Sequence, residues 1–352
     1  DLGGGSDEDL GGGSDEDLGG GSDEDLGGGS DEGSGDSGGG TGTGGEGLNV
    51  FFSVYSEIDA ILYFRQDSLG TYTGKGYHGF TGNDRYYLGN GDLNPLYYFG
   101  QTLCQSDYPQ YEVTVKKGSI KSELLPYFPI NMQVGNDENT YTVSYYQYDY
   151  LTMGLGGLTP IVENGIYREQ EFIYRQFVQN TFLTIDPSLC ETLLTIAGQN
   201  GIEKDDVNVV QKVVSYVQNA AYYDYKYAAA NYPSNVDMVT HFLTGERRGV
   251  CRHFAAAATM MFRALGIPAR YSIGFAVGVN GGMWTDVSGD GHAWTEIYID
   301  GYGWVPLEVT GSTLAPDGNE GTGEFNNENF YGEISLSHAC MDICSKKRYI
   351  NS

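Results

Sequence analysis

Apolar and polar residues alternate along much of residues 48–186, with the two-residue period of a half-buried β-strand. The alternation is clearest in three segments, at 111–115, 140–145 and 171–185. Turn-forming clusters of glycine, asparagine and aspartate separate such segments along the chain. This pattern predicts a β-rich, sandwich-like domain over residues 48–186.

After Asp186 the apolar spacing changes to the three- and four-residue steps of amphipathic helices. Helices are predicted at 189–196 with Ser188 as the cap, at 204–221, and from Cys251 to a stop at Gly266. Strand-like segments follow at 270–277, 292–299 and 304–310. Helices followed by antiparallel strands predict an α+β domain over residues 187–311.

Residues 1–47 differ in composition from the rest of the chain. They hold 14 acidic residues, no lysine or arginine, and 21 of the 53 glycines, and the first 32 residues are four copies of the octad Asp-Leu-Gly-Gly-Gly-Ser-Asp-Glu. One leucine per octad cannot build a core, so we predict a disordered, acidic Gly/Ser/Asp linker. Calcium-binding β-roll repeats are the alternative, but their period is nine and they need an alternating apolar position.

The formal net charge of -28 argues against nucleic acid and anionic lipid as partners, because both require a basic surface. No segment approaches the ~18 consecutive apolar residues of a membrane span, and the chain lacks an initiator methionine and a signal peptide. We therefore expect a piece of a longer protein, in which any membrane anchor lies outside this chain.

The five cysteines are odd in number and widely spaced, which does not fit a disulfide scaffold. Cys340 and Cys344 have no matching second pair, so an ordinary thiol pair or a disulfide is favoured there over a zinc site. They fall in residues 312–352, a C-terminal extension for which the sequence predicts no clear order.

Candidate chemistry concentrates in the α+β domain. Cys251 is expected in the first turn of a helix, where the positive helix end stabilises a thiolate and free N–H groups can hold an oxyanion, while Gly249 lets a substrate backbone approach closely. His292 starts a later strand, and Glu308 shares its face if a three-residue loop joins the two strands. His253 should point away from Cys251 around the helix and is given a structural role. An inert structural thiol is the alternative for Cys251.

Three separated motifs then carry a family resemblance: Gly-Val-Cys-Arg-His-Phe-Ala at 249–255, Arg-Ala-Leu-Gly-Ile-Pro-Ala-Arg-Tyr at 263–271, and His-Ala-Trp-Thr-Glu-Ile-Tyr at 292–298 with Gly-Trp-Val-Pro-Leu-Glu-Val-Thr at 303–310. Over about residues 188–311 the chain resembles the transglutaminase-like superfamily. The segment 64–77 further resembles the one that precedes this domain in bacterial surface-anchored members. The resemblance implies a papain-like core with Cys251 as nucleophile, His292 as acid and base, and Glu308 as the orienting carboxylate, where many members have aspartate.

The resemblance also implies acyl transfer through a thioester without a cofactor, completed by an amine (transamidation) or by water (hydrolysis of a peptide or amide). Tyr223 or Tyr225 is a candidate second oxyanion donor, with packing as the alternative. Trp294 is expected to form a wall of the substrate cleft or part of the core. We expect an extracellular or cell-surface enzyme acting on protein or cell-wall-linked peptide. The alternative is a non-enzymatic surface module that retains the fold for binding or structure.

Overall fold

The computed structural model of the protein describes residues 50–78, 93–165, 167–224, 235–289 and 291–313. The predicted linker over 1–47 lies outside the described residues, as does nearly all of the predicted extension over 312–352.

The described strands are β1 (Phe52–Ser56), β2 (Ala60–Leu69), β3 (Thr71–Tyr72), β4 (Tyr77–His78), β5 (Gln110–Lys117), β6 (Leu125–Pro126), β7 (Pro129–Val134), β8 (Thr140–Tyr146), β9 (Tyr222–Tyr223), β10 (Arg248–Gly249), β11 (Ala269–Val279), β12 (Met283–Val287), β13 (His292–Ile299) and β14 (Gly303–Leu307). The described α-helices are α1 (Tyr98–Leu103), α2 (Tyr150–Met153), α3 (Arg168–Phe182), α4 (Pro187–Gln199), α5 (Val209–Ala220), α6 (Met238–Thr244) and α7 (Cys251–Ala264). Short 3₁₀ turns cover Pro95–Tyr97 and Ile161–Asn164.

Two five-stranded antiparallel sheets hold most of these strands. The first has the order β12-β1-β5-β8-β7, and the second has the order β14-β13-β11-β2-β6. In the second sheet, β2 and β6 precede residue 186, where the sequence predicts a domain boundary, while β11, β13 and β14 follow it. In the first sheet, β12 follows residue 186 and the other four strands precede it. Each sheet therefore joins strands from both sides of residue 186, and the division into two domains stays a prediction.

Residues 171–185 were predicted as a strand, and this prediction was wrong. Helix α3 covers most of the segment and buries Glu171, Tyr174, Phe177 and Phe182, a spacing of three to five residues that follows one helix face. The apparent alternation is broken by this longer period. The region before residue 186 is therefore mixed helix and sheet, and the sandwich-like arrangement predicted for it is not confirmed.

Two helices begin at other residues than the sequence predicts. Asp186, not Ser188, caps α4, because its carboxylate accepts hydrogen bonds from the amides of Ser188 (2.9 Å) and Leu189 (3.2 Å). Helix α5 begins only at Val209, since the Asp206 carboxylate accepts from the amide two residues later and ends the preceding turn.

Helix α7 forms the centre of the helical layer, with the bounds that the sequence predicts. Residues 253–263 are all buried, α4, α5 and α6 pack against the helix, and β11 and β13 contact it. The hydroxyl of Thr295 on β13 donates to the carbonyl of Ala255 (3.0 Å). The helix gives way to Gly266, whose φ of +76° is the left-handed conformation that favours glycine. None of the helices in the described ranges has the length and apolar character of a membrane span.

The β13–β14 hairpin has the predicted register. Ile299 pairs with Gly303 across a three-residue turn, and the ladder continues to Thr295 opposite Leu307. The φ of Gly303 is +117°, and a Cβ there would lie 2.8 Å from the Cβ of Tyr98, so the turn requires glycine at this position. The hairpin therefore carries the residues after Leu307 back towards the start of β13.

Glu296 of β13 is the acidic centre of a buried polar cluster. It accepts hydrogen bonds from Arg270 and Tyr127, and from Ser68 at 3.2 Å, while Arg65 lies 3.9 Å away. Burial by itself would raise the pKa of Glu296, but the charges of Arg270 and Arg65 hold it below its ordinary value. The cluster ties β2 and β11 to β13 from within.

Replacing Glu296 with alanine is expected to lower the free energy of unfolding by about 3–5 kcal/mol, because it removes the carboxylate that faces the buried Arg270. Urea denaturation measures the change. Glu123→Ala is the control: its ion pair with Lys117 (3.3 Å) is solvated, and such pairs contribute about 0–1 kcal/mol. Equal losses in the two variants would contradict the importance of the buried cluster.

Candidate active site

Cys251 is the first residue of α7 and is half-buried. The residue before it, Val250, has the extended conformation of an N-cap (φ -112°, ψ 178°). Strand β10 leads into the helix and pairs in parallel with β9, Gly249 opposite Tyr223. The thiol therefore sits at the positive end of a buried helix whose start is fixed by the backbone, as the sequence predicts.

His292 and Glu308 meet at the base of the hairpin. The distance between Nε2 of His292 and Oε2 of Glu308 is 2.7 Å. Because Glu308 occupies Nε2, the nitrogen left for other contacts is Nδ1. Cys251 lies close enough to the same imidazole to raise its pKa. The structure thus places the three predicted side chains in one neighbourhood, although they come from two strand regions and a helix.

The electrostatics of this pair favour its charged form. Burial by itself would lower the pKa of His292, but the Glu308 carboxylate and Cys251 raise it to about 10. Burial would likewise raise the pKa of Glu308, but the charge of His292 and hydrogen bonds from His292, Tyr63 and the Thr310 amide lower it to about 2. At neutral pH the pair is therefore an imidazolium and a carboxylate.

Glu308 is anchored on more than one side. The Thr310 amide donates to Oε1 (2.7 Å), and the Tyr63 hydroxyl donates to Oε2 (2.7 Å). The Gln218 side chain donates to the backbone carbonyl of Glu308 (3.1 Å). Sequence reasoning did not find Tyr63, which lies directly before the segment 64–77 whose resemblance was noted. Only the pairing of β2 with β11 places it near the hairpin.

Residues 195–309 match the family model of the transglutaminase-like superfamily. This segment is a transglutaminase-like domain. The uncharacterized protein YebA of Bacillus subtilis is 25% identical over 234 residues, which are 61% of this chain and 31% of YebA. The chain thus spans less than a third of the length of that relative.

Two crystal structures of the periplasmic domain of TgpA from Pseudomonas aeruginosa are also similar. The one bound to ethylmercury is 17% identical with a TM-score of 0.47, and covers 78% of this chain and 93% of that chain. The other is 16% identical with a TM-score of 0.48, and covers 75% and 88%.

Trp294 was considered a cleft wall, and the structure places it in the core instead. Its side chain has no exposed surface, and its ring lies 6.1 Å from the His292 ring at an interplanar angle of 27°. The indole N–H donates to the Tyr127 hydroxyl (2.7 Å). A wall of an open cleft would keep exposed surface, so Trp294 instead supports the imidazole of the transglutaminase-like domain from behind.

Gly249 was also expected to face the substrate, and the structure gives it another function. It is buried, and a Cβ there would lie 2.7 Å from Nδ1 of His253. Nδ1 of His253 accepts a hydrogen bond from the Val250 amide (2.9 Å). Burial, aided by the charge of Arg252, lowers the pKa of His253 to about 3, so it stays neutral. The glycine makes room for a structural histidine, which agrees with the role predicted for His253.

The second oxyanion donor stays a prediction. The ring of Tyr223 stacks on Phe254 at a centroid distance of 6.3 Å, and its amide donates to the Thr313 carbonyl (2.8 Å). This is the packing that the sequence offered as the alternative. Tyr225 lies outside the described residues. Within the ranges that the structure covers, no group of three or more His, Cys, Asp or Glu side chains is placed to hold a metal ion.

In the Glu308→Gln variant the pKa of His292 is expected to fall well below its wild-type value. Burial lowers this pKa, and the variant removes the carboxylate charge that opposes burial. Proton–nitrogen NMR of the histidine rings measures the change, with His253 as a ring that stays neutral in both proteins. An unchanged pKa of His292 in the variant would show that the Glu308 carboxylate does not stabilise the imidazolium.

The same pair makes stability depend on pH. The raised pKa of His292 contributes stability that is complete below its ordinary pKa of 6.5 and is lost as the pH rises through about 10. The lowered pKa of Glu308 contributes stability that is complete above 4.5 and is lost as the pH falls through about 2. The difference in unfolding free energy between wild type and Glu308→Gln is therefore expected to be largest between these ordinary values. Chemical denaturation across pH measures it, and a flat difference would contradict the ion pair.

Proposed function

We propose that this protein is a thiol-dependent enzyme that transfers an acyl group of a protein or peptide substrate through a thioester on Cys251. The observation that carries the proposal is the 2.7 Å contact between His292 and Glu308 close to Cys251, the first residue of α7. A nucleophile, a proton carrier and an orienting carboxylate in contact are the arrangement that covalent acyl transfer requires. Membership of residues 195–309 in the transglutaminase-like superfamily supports the same class of enzyme.

In the first half of the proposed reaction, the Cys251 thiolate attacks the carbonyl carbon of a glutamine carboxamide or a peptide bond. The backbone N–H groups at the start of α7 stabilise the negative charge that forms on the carbonyl oxygen. The imidazolium of His292 gives its proton to the leaving nitrogen, so the C–N bond breaks and ammonia or an amine departs. A thioester and a neutral imidazole remain.

In the second half, an amine or a water molecule attacks the thioester. His292 takes the proton of the attacking group, the C–S bond breaks, and the thiolate and imidazolium are restored. Glu308 stays ionised throughout. It stabilises the imidazolium that is present before the first proton transfer and again after the second. Since the same three side chains serve both outcomes, transamidation and hydrolysis are both included in the proposal.

A non-enzymatic surface module remains the second class of function. The proximity of three reactive groups favours the enzyme, because a binding module needs neither a thiol at a helix start nor a charged imidazole beside it. We propose an extracellular or cell-surface location, on the resemblance of residues 64–77 to surface-anchored proteins. The net charge of -28 disfavours nucleic acid and anionic lipid as partners.

Alkylation by iodoacetamide at pH 6 is expected to modify Cys251 faster than Cys104, since an imidazolium partner stabilises the thiolate of Cys251. Cys104 is exposed and serves as the internal control. Peptide mapping by mass spectrometry gives both rates, and the His292→Ala variant should slow Cys251 alone. Equal rates for the two thiols in the wild-type protein would oppose an activated nucleophile.

The Cys251→Ala variant is expected to lose turnover by at least about a thousandfold while keeping its thermal midpoint, because the nucleophile forms the covalent intermediate and a small thiol adds little packing. Casein with a fluorescent amine, analysed for amine incorporation, crosslinks and cleavage products, measures both outcomes. Cys190→Ala is the matched control and should retain full turnover. Activity surviving in Cys251→Ala would refute the mechanism.

A further inference from the structure

One side-chain hydrogen-bond donor to Glu308 comes from outside residues 195–309. Tyr63 of β2 donates its hydroxyl to Oε2 (2.7 Å), which is the oxygen that also contacts Nε2 of His292. The tyrosine ring lies 6.1 Å from the His292 ring and 5.2 Å from the Trp294 ring, the second at an interplanar angle of 76°. The phenol therefore touches the acid and packs against the base at the same time.

The second sheet explains how a residue so early in the chain arrives there. Along β2, Leu62 and Phe64 are buried in the core of the first sheet, so the alternation directs Tyr63 to the opposite face. Strand β11 lies between β2 and β13, with Gly274 opposite His292. A Cβ on Gly274 would lie 2.0 Å from the Phe64 carbonyl oxygen, so the glycine lets β2 approach closely at the level of the imidazole.

A cavity of about 110 Å³ borders Glu308. Tyr63 and Glu308 both line it, together with aromatic residues of β8 and of the segments that follow β6 and β8, including Tyr127, Tyr146 and Tyr148. Since a buried water needs about 10–15 Å³ of such volume, several waters fit beside the carboxylate. A fixed phenol hydroxyl holds Glu308 in one orientation, whereas water would hydrate it without directing it.

We propose that Tyr63 is a positioning residue for the acyl-transfer reaction, fixing the Glu308 carboxylate so that it holds the His292 ring opposite Cys251. The proposal rests on the function proposed above. Glutamate has one more rotatable bond than aspartate, so its carboxylate is harder to hold in one position. Tyr63 on Oε2 and the Thr310 amide on Oε1 together restrict this longer side chain. The titratable groups around the imidazole are then Glu308, Tyr63 and Cys251.

Tyr63→Phe tests the hydroxyl while keeping the ring. The matched control is Tyr298→Phe, because Tyr298 also donates from a phenol to a buried carboxylate, that of Glu171 at 3.0 Å, away from the proposed active site. In Tyr63→Phe the pKa of His292, measured by ring NMR, is expected to fall by about half a unit to one unit, since the Glu308 carboxylate, still ionised, loses the contact that holds it against Nε2. The rate of Cys251 alkylation should fall, because a smaller imidazolium fraction stabilises the thiolate less. Neither should change in Tyr298→Phe.

Turnover with casein and the fluorescent amine adds a kinetic readout. In Tyr63→Phe, kcat is expected to fall about tenfold with KM nearly unchanged, because the lost contact orients the base and does not bind substrate. In the Glu308→Gln background the same substitution should have little further effect on the titration of His292, because the two residues act as a unit.

The outcomes separate this proposal from the proposed function. If the His292 titration and the alkylation rate in Tyr63→Phe match those of wild type, Tyr63 only packs and the positioning proposal is wrong, while the acyl-transfer mechanism stands on Cys251→Ala. If Cys251 is no more reactive than Cys104 in wild type, the proposed function fails, and a reaction role for Tyr63 fails with it even where the titration shifts. A drop in thermal midpoint shared by both tyrosine variants would measure only lost stability. The NMR titration of His292 in the folded fraction would then still test whether Tyr63 positions Glu308.

Discussion

The contact between His292 and Glu308 is the interaction on which the arrangement of the proposed active site depends. Taking an imidazolium and a carboxylate out of water is costly, and their attraction offsets the cost only with good geometry and additional hydrogen bonds. The structure supplies both. The hairpin register brings Glu308 back to the start of β13, and the Thr310 amide donates a hydrogen bond to the second carboxylate oxygen. On one side of the imidazole, the buried Trp294 ring excludes water. Its indole N–H donates to the Tyr127 hydroxyl, which belongs to the buried Glu296 cluster.

The support for this contact comes from both ends of the chain. The residues within 195–309 provide the thiol, the imidazole and the carboxylate, while β2 provides a phenol and pairs with β11. Arg65 of β2 also approaches Glu296. The segment before residue 186 therefore contributes to the site, since side chains of β2 contact Glu308 and approach Glu296.

The features that the sequence could predict are those with a local cause. The start of α7 at Cys251, its end before Gly266 and the face shared by His292 and Glu308 follow from caps, glycine and strand parity within a few residues. The segment 171–185, most of which belongs to helix α3, was misassigned because two periods fit a short run and tertiary packing decides between them. Tyr63 was not found because its partner Glu308 lies across the fold. Gly249 was assigned to the substrate because the sequence did not show that the ring of His253, one helical turn later, occupies the space beside it.

The pairing of β2 with β11 also bears on where this protein can be divided. A fragment cut at the limits of the family match would leave the backbone of β11 from Tyr271 to Val279 without its neighbour. An unprotected edge of that length is a template for strand addition between copies, which leads to aggregation. Residues 195–309 expressed alone would then be prone to aggregate, and a soluble fragment has to begin ahead of β1 so that it contains β2.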